Sequence, residues 1–374
     1  MALALREIRR AKARFGLLIA AVGLLMFLIL TQQALQSGLI TAFVGGLEKQ
    51  SAPVLVYSVD GQRTLQGSVI PPPLEEAIRA VPEVGEAGRI GQGTYTVQIS
   101  GDDEESDAAI LGAEVPDLGL PDELSTGRLP EAAGEAVGSS ADFSVDEEVT
   151  VLTADGQEGP VLTVVGLADE AQIQVSPTLF VGWADYEAAA RAANPDASAI
   201  LPSAIGVRPA DGVSAEALTA AINEADEQAD ALTRSEAADE APGVAEVRSS
   251  FQVIFLLFGL VVPLVTGLFF LIITFQKSRS LTLLRAIGAP GALLVRSLLV
   301  QVVIVVGGGV ILGTALYAPL SRTELGSLAL SFDVGTVATW AVLLLVLGCA
   351  SAVLAARRVL AIDPVEATIA GGAR

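Results

Sequence analysis

Four long stretches without a single charged residue constrain this chain more than any other feature. They cover 15–47, 249–276, 297–321 and 334–356, which is 33, 28, 25 and 23 residues of a 374-residue sequence. A helix needs about 20 apolar residues to cross the hydrocarbon core of a bilayer, so all four are long enough. Each holds a near-unbroken apolar heart: Gly16–Leu30, Val253–Phe275, Leu298–Leu312 and Trp340–Leu347. Composition agrees, with 52% apolar and 17% charged residues, against about 25% charged in an ordinary soluble domain. The expected class is a membrane protein with four transmembrane α-helices. The first window follows basic residues, as a signal peptide would. Its length, and Thr31-Gln32-Gln33 in place of an A-x-A cleavage site, favour an uncleaved helix.

The charge outside the windows is unevenly spread. Residues 48–248 carry 38 acids and 9 bases, and the rest of the chain carries 5 acids and 13 bases. Arg6, Arg9, Arg10, Lys12 and Arg14 precede the first window; Lys277, Arg279, Arg285 and Arg296 follow the second; Arg357 and Arg358 follow the fourth. Basic short loops stay cytoplasmic. Both termini and the 277–296 loop are therefore expected inside, with 48–248 and the short loop 322–333 outside. The organisation that follows is a cytoplasmic amphipathic helix over 1–14, helix 1 and a stalk over 15–47, an extracytoplasmic domain over 48–248, helices at 249–276, 297–321 and 334–356, and a tail over 357–374. In the first 15 residues Ala4, Leu5, Ile8, Ala11 and Phe15 share one face and the arginines the other, a pattern suited to lying on anionic lipid.

Within 48–248, β-rich runs at 53–59, 94–100, 108–115, 148–153, 160–166, 178–181 and 204–207 alternate with helical patterns at 74–80, 184–193 and 214–225. Ser214 stands where an N-cap would. The domain is expected to be α+β, inserted between helix 1 and helix 2. The Ala- and acid-rich 224–246 reads as a helical stalk or a linker, and the acidic 102–107 as a solvated loop without the ligand spacing of an EF-hand.

Several functions are excluded by what the sequence lacks. With no histidine there is no Ser-His-Asp triad, no HExxH zinc site and no phospho-accepting His. Cys349 is the only cysteine, so there is no CxxC site and no intrachain disulfide. The three lysines, Lys12, Lys49 and Lys277, do not follow glycines, so no GxxxxGK[ST] phosphate loop is present. No cofactor is expected on this chain. No charge lies inside a span core to mark a polar path, and nothing points to nucleic acid.

The 277–296 segment reads as a short helix ending near Gly288 and a second starting at Pro290, basic on one side and suited to docking a soluble partner. Leu283-Leu284-Arg285-Ala286-Ile287-Gly288-Ala289, followed by a long apolar helix, resembles the cytoplasmic loop of MacB/FtsX-type ABC transporter permeases. Arg357-Arg358 with Asp363-Pro364-Val365-Glu366-Ala367 resembles that family's closing segment. The start at 4–15 is similar to the branch that includes DevC- and HrtB-like exporters. Val81–Gly85, Gly127–Pro130, Gly134–Val137 and Leu162–Gly166 are similar to phrases of MacB-type outer domains. The resemblance implies a dimer of permeases, as homodimer or heterodimer, in membrane lipid with separate ATPase subunits that bind ATP and Mg²⁺. It implies ATPase coupling through Leu284, Arg285, Ala286, Ile287, Gly288, Ala289, Arg357, Arg358, Asp363, Pro364 and Glu366. Motion would pass through the first two helices to the outer domain, driving export or outer-leaflet extraction of a lipophilic substrate such as haem, a drug, a lipid or a peptide. Met26 and Tyr317 are the candidate substrate contacts. An FtsX-like regulator of a cell-wall hydrolase, transporting nothing, is the other reading.

Overall fold

A computed structural model describes residues 12–101, 104–276, 291–321 and 333–360. The chain opens with α1 (Lys12–Lys49). The inserted domain then runs β1 (Val54–Ser58), α2 (Pro72–Arg79), β2 (Val84–Ile99), β3 (Glu105–Ala113), β4 (Thr126–Gly127), β5 (Glu135–Ser139), β6 (Glu148–Leu152), β7 (Glu158–Ala168), β8 (Thr178–Gly182), α3 (Trp183–Ala193), β9 (Ala204–Pro209), α4 (Ala215–Ala225), β10 (Ala229–Thr233) and α5 (Arg234–Asp239). The long helices α6 (Val244–Gln276), α7 (Gly291–Leu320) and α8 (Val334–Leu360) complete it. With α1 they are, among the described residues, the four helices long and apolar enough to cross a membrane. The expected class, four such helices and an α+β domain between the first and second, is the class observed. Two compact units result: a helical one, from the described parts of Met1–Leu35, Ser249–Thr323 and Leu330–Arg374, and a mixed one, Gln36–Arg248.

In the helical unit, small residues set the packing. Side chains on Gly309 and Gly313 of α7 would come 2.5 Å from Val22 Cγ1 and the Gly23 carbonyl of α1. Glycine lets two backbones approach where lipid supplies no hydrophobic drive. The Gly309/Gly313 pair therefore packs closely against α1. On α6, Phe255 stacks at 5.4 Å on Trp340 of α8. Val253, Leu256, Leu260, Leu264 and Leu268 of α6 are exposed, a face suited to lipid.

The mixed unit combines two subfolds that share one strand. The first has the strand order β10-β1-β9-β2 with every neighbour antiparallel. With α2 and α4 it forms a split βαβ arrangement, β1-α2-β2 and β9-α4-β10. Leu74, Ile78, Leu218 and Ile222 of the helices pack on Val54, Val56, Ile205 and Val207. The second subfold is inserted between β2 and β9. Its pairings run β2-β3-β8-β5-β7-β6 and return to β2, a closed six-stranded ring. Closure removes the exposed edges that would otherwise invite pairing with other chains. Val97, Ile110, Val149, Val151, Leu162, Val164, Leu179 and Val181 fill the interior. The helix α3 covers it by laying Tyr186 over Gly91 and Gly112, which are register partners in β2 and β3.

The segment 224–246 corrects the sequence expectation. It is neither stalk nor linker: it contains β10, paired along its length with β1, and α5. Alanine is a poor strand former, but here the partner strand and the core below decide. The outer edge of β10 is closed by Asn223, whose side-chain amide bonds the backbone of Ala231 in both directions, at 2.7 and 3.0 Å. The cap expected at Ser214 is present, with its hydroxyl accepting from the Ala217 N–H at 3.2 Å. In 291–296, the last part of the expected 277–296 loop, the chain is already the first turn and a half of α7.

Replacing Gly112 by Val puts a side chain into the Tyr186 ring. The expected outcome is a loss of about 1–3 kcal/mol from overpacking, read as a lower thermal midpoint of the purified chain. Tyr186→Ala should restore part of it in the double variant.

Candidate functional site

Most residues expected to couple to an ATPase, Leu284, Arg285, Ala286, Ile287, Gly288, Ala289, Asp363, Pro364 and Glu366, lie outside the described residues. So do residues 1–11 of the amphipathic segment. Arg357 and Arg358 fall in the last turns of α8, with their side chains outside the described set. Met26 and Tyr317 are brought together. Both lie in one apolar cluster with Ile29, Leu30, Val302, Val306 and Leu344. Met26 is 0% exposed and Tyr317 2%, and Met26 packs where Gly313 leaves room for it. Among the described residues no group of three His, Cys, Asp or Glu side chains is placed to hold a metal.

Sequence reasoning did not find what happens at the C-terminal end of α1. Val44 and Leu47 of α1 and Val244, the first residue of α6, are buried in a single core. That core also holds Leu55, Tyr57, Ile90, Leu111, Phe180 and Leu232, so it lies against the sheet face opposite α2 and α4. The segment after β7 wraps the end of α1. Val175 N–H donates to the Ala42 carbonyl at 2.7 Å, Gln174 N–H to Phe43 at 2.9 Å, and Gly46 N–H to Gln172 at 2.8 Å. The one sequence signal for this was Gly45-Gly46 at the end of an otherwise apolar helix.

Ion pairs tie the same region together. Arg234 bridges the Gln50 carbonyl at 2.8 Å and Asp122 at 2.7 Å. Arg63 joins Asp230 at 2.8 Å and also pairs with Glu240. Arg248 of α6 reaches Asp239 at 2.8 Å. On the other face Glu75, the one acid of α2 whose side chain is nearly enclosed, accepts from Arg89 at 2.9 Å and from Arg79 at 3.1 Å. Burial alone would raise the Glu75 carboxyl, but the two guanidiniums more than offset it and hold it below the ordinary carboxylate range. Arg128, with the Glu131 and Ala132 N–H groups, brings the Glu135 carboxyl down to about 2.

No family model matches the sequence, and no curated protein matches it either. Among solved structures it is similar to the extracellular domain of the noncanonic ABC-type transporter YknZ from Gram-positive bacteria. That likeness is 11% identical, spans 48% of this chain and 99% of that one, and has a TM-score of 0.32. The periplasmic region of MacB from Actinobacillus actinomycetemcomitans is 10% identical over 51% of this chain and 92% of its own, at a TM-score of 0.35. A domain described as that of a permease protein from Porphyromonas gingivalis is 18% identical over 48% of this chain and 83% of its own, at 0.29.

Glu75 and Glu135 set an acid limit. Their folded values lie below the unfolded one of about 4.3, so their stabilisation is complete above that pH. It is lost as pH falls through the folded values, about 2 for Glu135. The thermal midpoint should drop between about pH 4.3 and 2. Replacing both by Gln should flatten that drop, and an unchanged profile in the double variant would assign the acid limit to other groups.

Proposed function

We propose that this chain is the permease subunit of a MacB/FtsX-type ABC transporter, working with a separate ATPase and a second permease copy. The observation that carries this reading is the run of α1. Its 38 residues amount to about 57 Å at 1.5 Å per residue, well beyond the roughly 30 Å hydrocarbon core. Its end is buried in the core of the inserted domain, in company with the start of α6. Such helices suit the transmission of movement between an inner ATPase and an outer domain. The LLRAIGA and Asp-Pro-x-Glu-Ala motifs support the same reading from sequence.

In this scheme both termini and 277–296 face the cytoplasm and the inserted domain faces out. ATP and Mg²⁺ are held by the partner, whose closure pushes on the segment around Arg285 and Gly288 and on the tail from Arg357 to Glu366. The moved substrate is lipophilic and is taken from the outer leaflet or the outer space. Contact with Met26 and Tyr317 would require the helices to part, since both are enclosed.

The test is ATP hydrolysis by the chain co-purified with its ATPase in lipid, against haem, macrolides and detergent-like lipids. Stimulation by one compound supports an exporter and supplies its substrate class. A stable, active complex indifferent to all of them shifts the reading to a mechanical regulator of a cell-wall hydrolase. Arg285→Ala with Gly288→Val should abolish stimulation while leaving the chain inserted. Unchanged coupling in that variant would place the docking surface elsewhere.

A further inference from the structure

We infer that residues 169–176 form a releasable clasp on the outer end of α1, and that its release is the step by which α1 acts on the inserted domain. The second part rests on the mechanical reading above. In an uninterrupted helix the Gly46 N–H bonds to the Ala42 carbonyl. Here both groups bond the clasp, Gly46 donating to Gln172 and Ala42 accepting from Val175. Phe43 accepts from Gln174 as well. The clasp therefore bonds the helix through backbone groups that are each other's natural partners.

Space and strain mark both sides of this contact. On the helix, a side chain at Gly45 would strike the Glu170 carbonyl, and one at Gly46 would strike Ile173. Only glycine permits the clasp to close to this distance. On the clasp, Glu170, Gln174 and Val175 are left-handed, with φ of 56°, 54° and 61°. Non-glycine residues rarely adopt that conformation, and a β-branched residue such as Val175 is an outlier there.

What holds the strain in place is local. Ala171 and Ile173 are buried in the core. The Ile173 N–H bonds the Thr178 hydroxyl at 2.9 Å, the Ser176 N–H bonds the Ile173 carbonyl at 3.0 Å, and Lys49 stands 4.0 Å from Glu170. Release would let three strained residues relax, at the cost of three backbone bonds to α1 and of withdrawing Ala171 and Ile173 from the core. Two arrangements with opposed gains and costs make a two-state element.

Amide hydrogen exchange on the full chain in lipid, read over 40–47 and 170–177, tests this. Gly46→Ala should favour release and speed exchange at Gln174 and Val175 about tenfold, with β3 and β8 unchanged. Val175→Asn, which suits the left-handed conformation better, should slow it. No change in either variant, or a rise spread over the whole domain, overturns the clasp. In the complex with its ATPase, a non-hydrolysable ATP analogue should speed exchange at the same two amides. Unchanged exchange in a complex that binds the analogue overturns the transmission step. If no ATPase co-purifies, the permease reading falls and the transmission step with it, while the two variants still decide whether the clasp opens.

Discussion

The inserted domain depends on the core into which the two longest helices end. The split βαβ sheet is apolar on both faces. One face is covered by α2 and α4, but the domain has no second pair of helices for the other. That face, with Leu55, Tyr57, Ile90 and Leu232, is closed by Val44 and Leu47 of α1, by α5 and by Val244. Sheets with both faces buried read as continuous apolar runs, and β1, Val54 to Tyr57, is buried at every position. The domain thus completes its hydrophobic core only with the ends of helices whose remaining length is apolar. Chain order follows from this requirement, since an insert between helix 1 and helix 2 places both ends where the open face needs them.

Charge follows a complementary logic. All nine bases of 48–248 pair with a carboxylate: Lys49, Arg63, Arg79, Arg89, Arg128, Arg191, Arg208, Arg234 and Arg248. Exposed pairs contribute only about 0–1 kcal/mol each, so they do not account for the fold. Their consequence is a domain whose nine bases are engaged in internal pairs and far outnumbered by its acids, which leaves it a net-acidic surface. With 38 acids against 9 bases, such a surface resists docking on anionic lipid and favours cationic partners. The arginines flanking the spans have the opposite preference.

The spans were legible in the sequence because the hydrocarbon core tolerates so few residue types. A helix on the surface of a soluble domain shows charge every turn or two along its wet face, and four windows of 23 or more residues show none. Local signals also carried through: the Ser214 cap and most strands with alternating or continuous β-branched residues. What was not legible is non-local. The glycines at 85, 88, 91 and 93 read as a poor strand, yet β2 is the longest in the domain, because Tyr186 and Tyr95 take the space at Gly91 and Gly93. The ring closes only through β2 with β6, partners about 50 residues apart, and no local pattern encodes that. In 224–246, composition outweighed a signal that was present: Thr233 and Glu236 stand at capping-box spacing and form that box, so a helix start, and hence a break before it, was readable.

The two long helices are fastened to the domain differently, and the difference favours distinct roles. The end of α1 is held by backbone hydrogen bonds to a strained segment, which fixes its register along its own axis. A hydrophobic contact alone would permit sliding, because apolar packing has no direction, whereas three backbone bonds at 2.7–2.9 Å do not. The start of α6 is different. It follows Gly243, left-handed at φ 91°, a single residue that can absorb a change of direction cheaply. After it, Val244 in the core and the Arg248–Asp239 pair join the helix to the domain. A helix gripped in register delivers axial displacement. A helix joined through one glycine follows by pivoting. With both ends in one core, a displacement of α1 on the proposed mechanical reading would be met either by rotation at Gly243 or by opening of the clasp, and the left-handed backbone at Glu170, Gln174 and Val175 would set the load at which the second becomes the easier path.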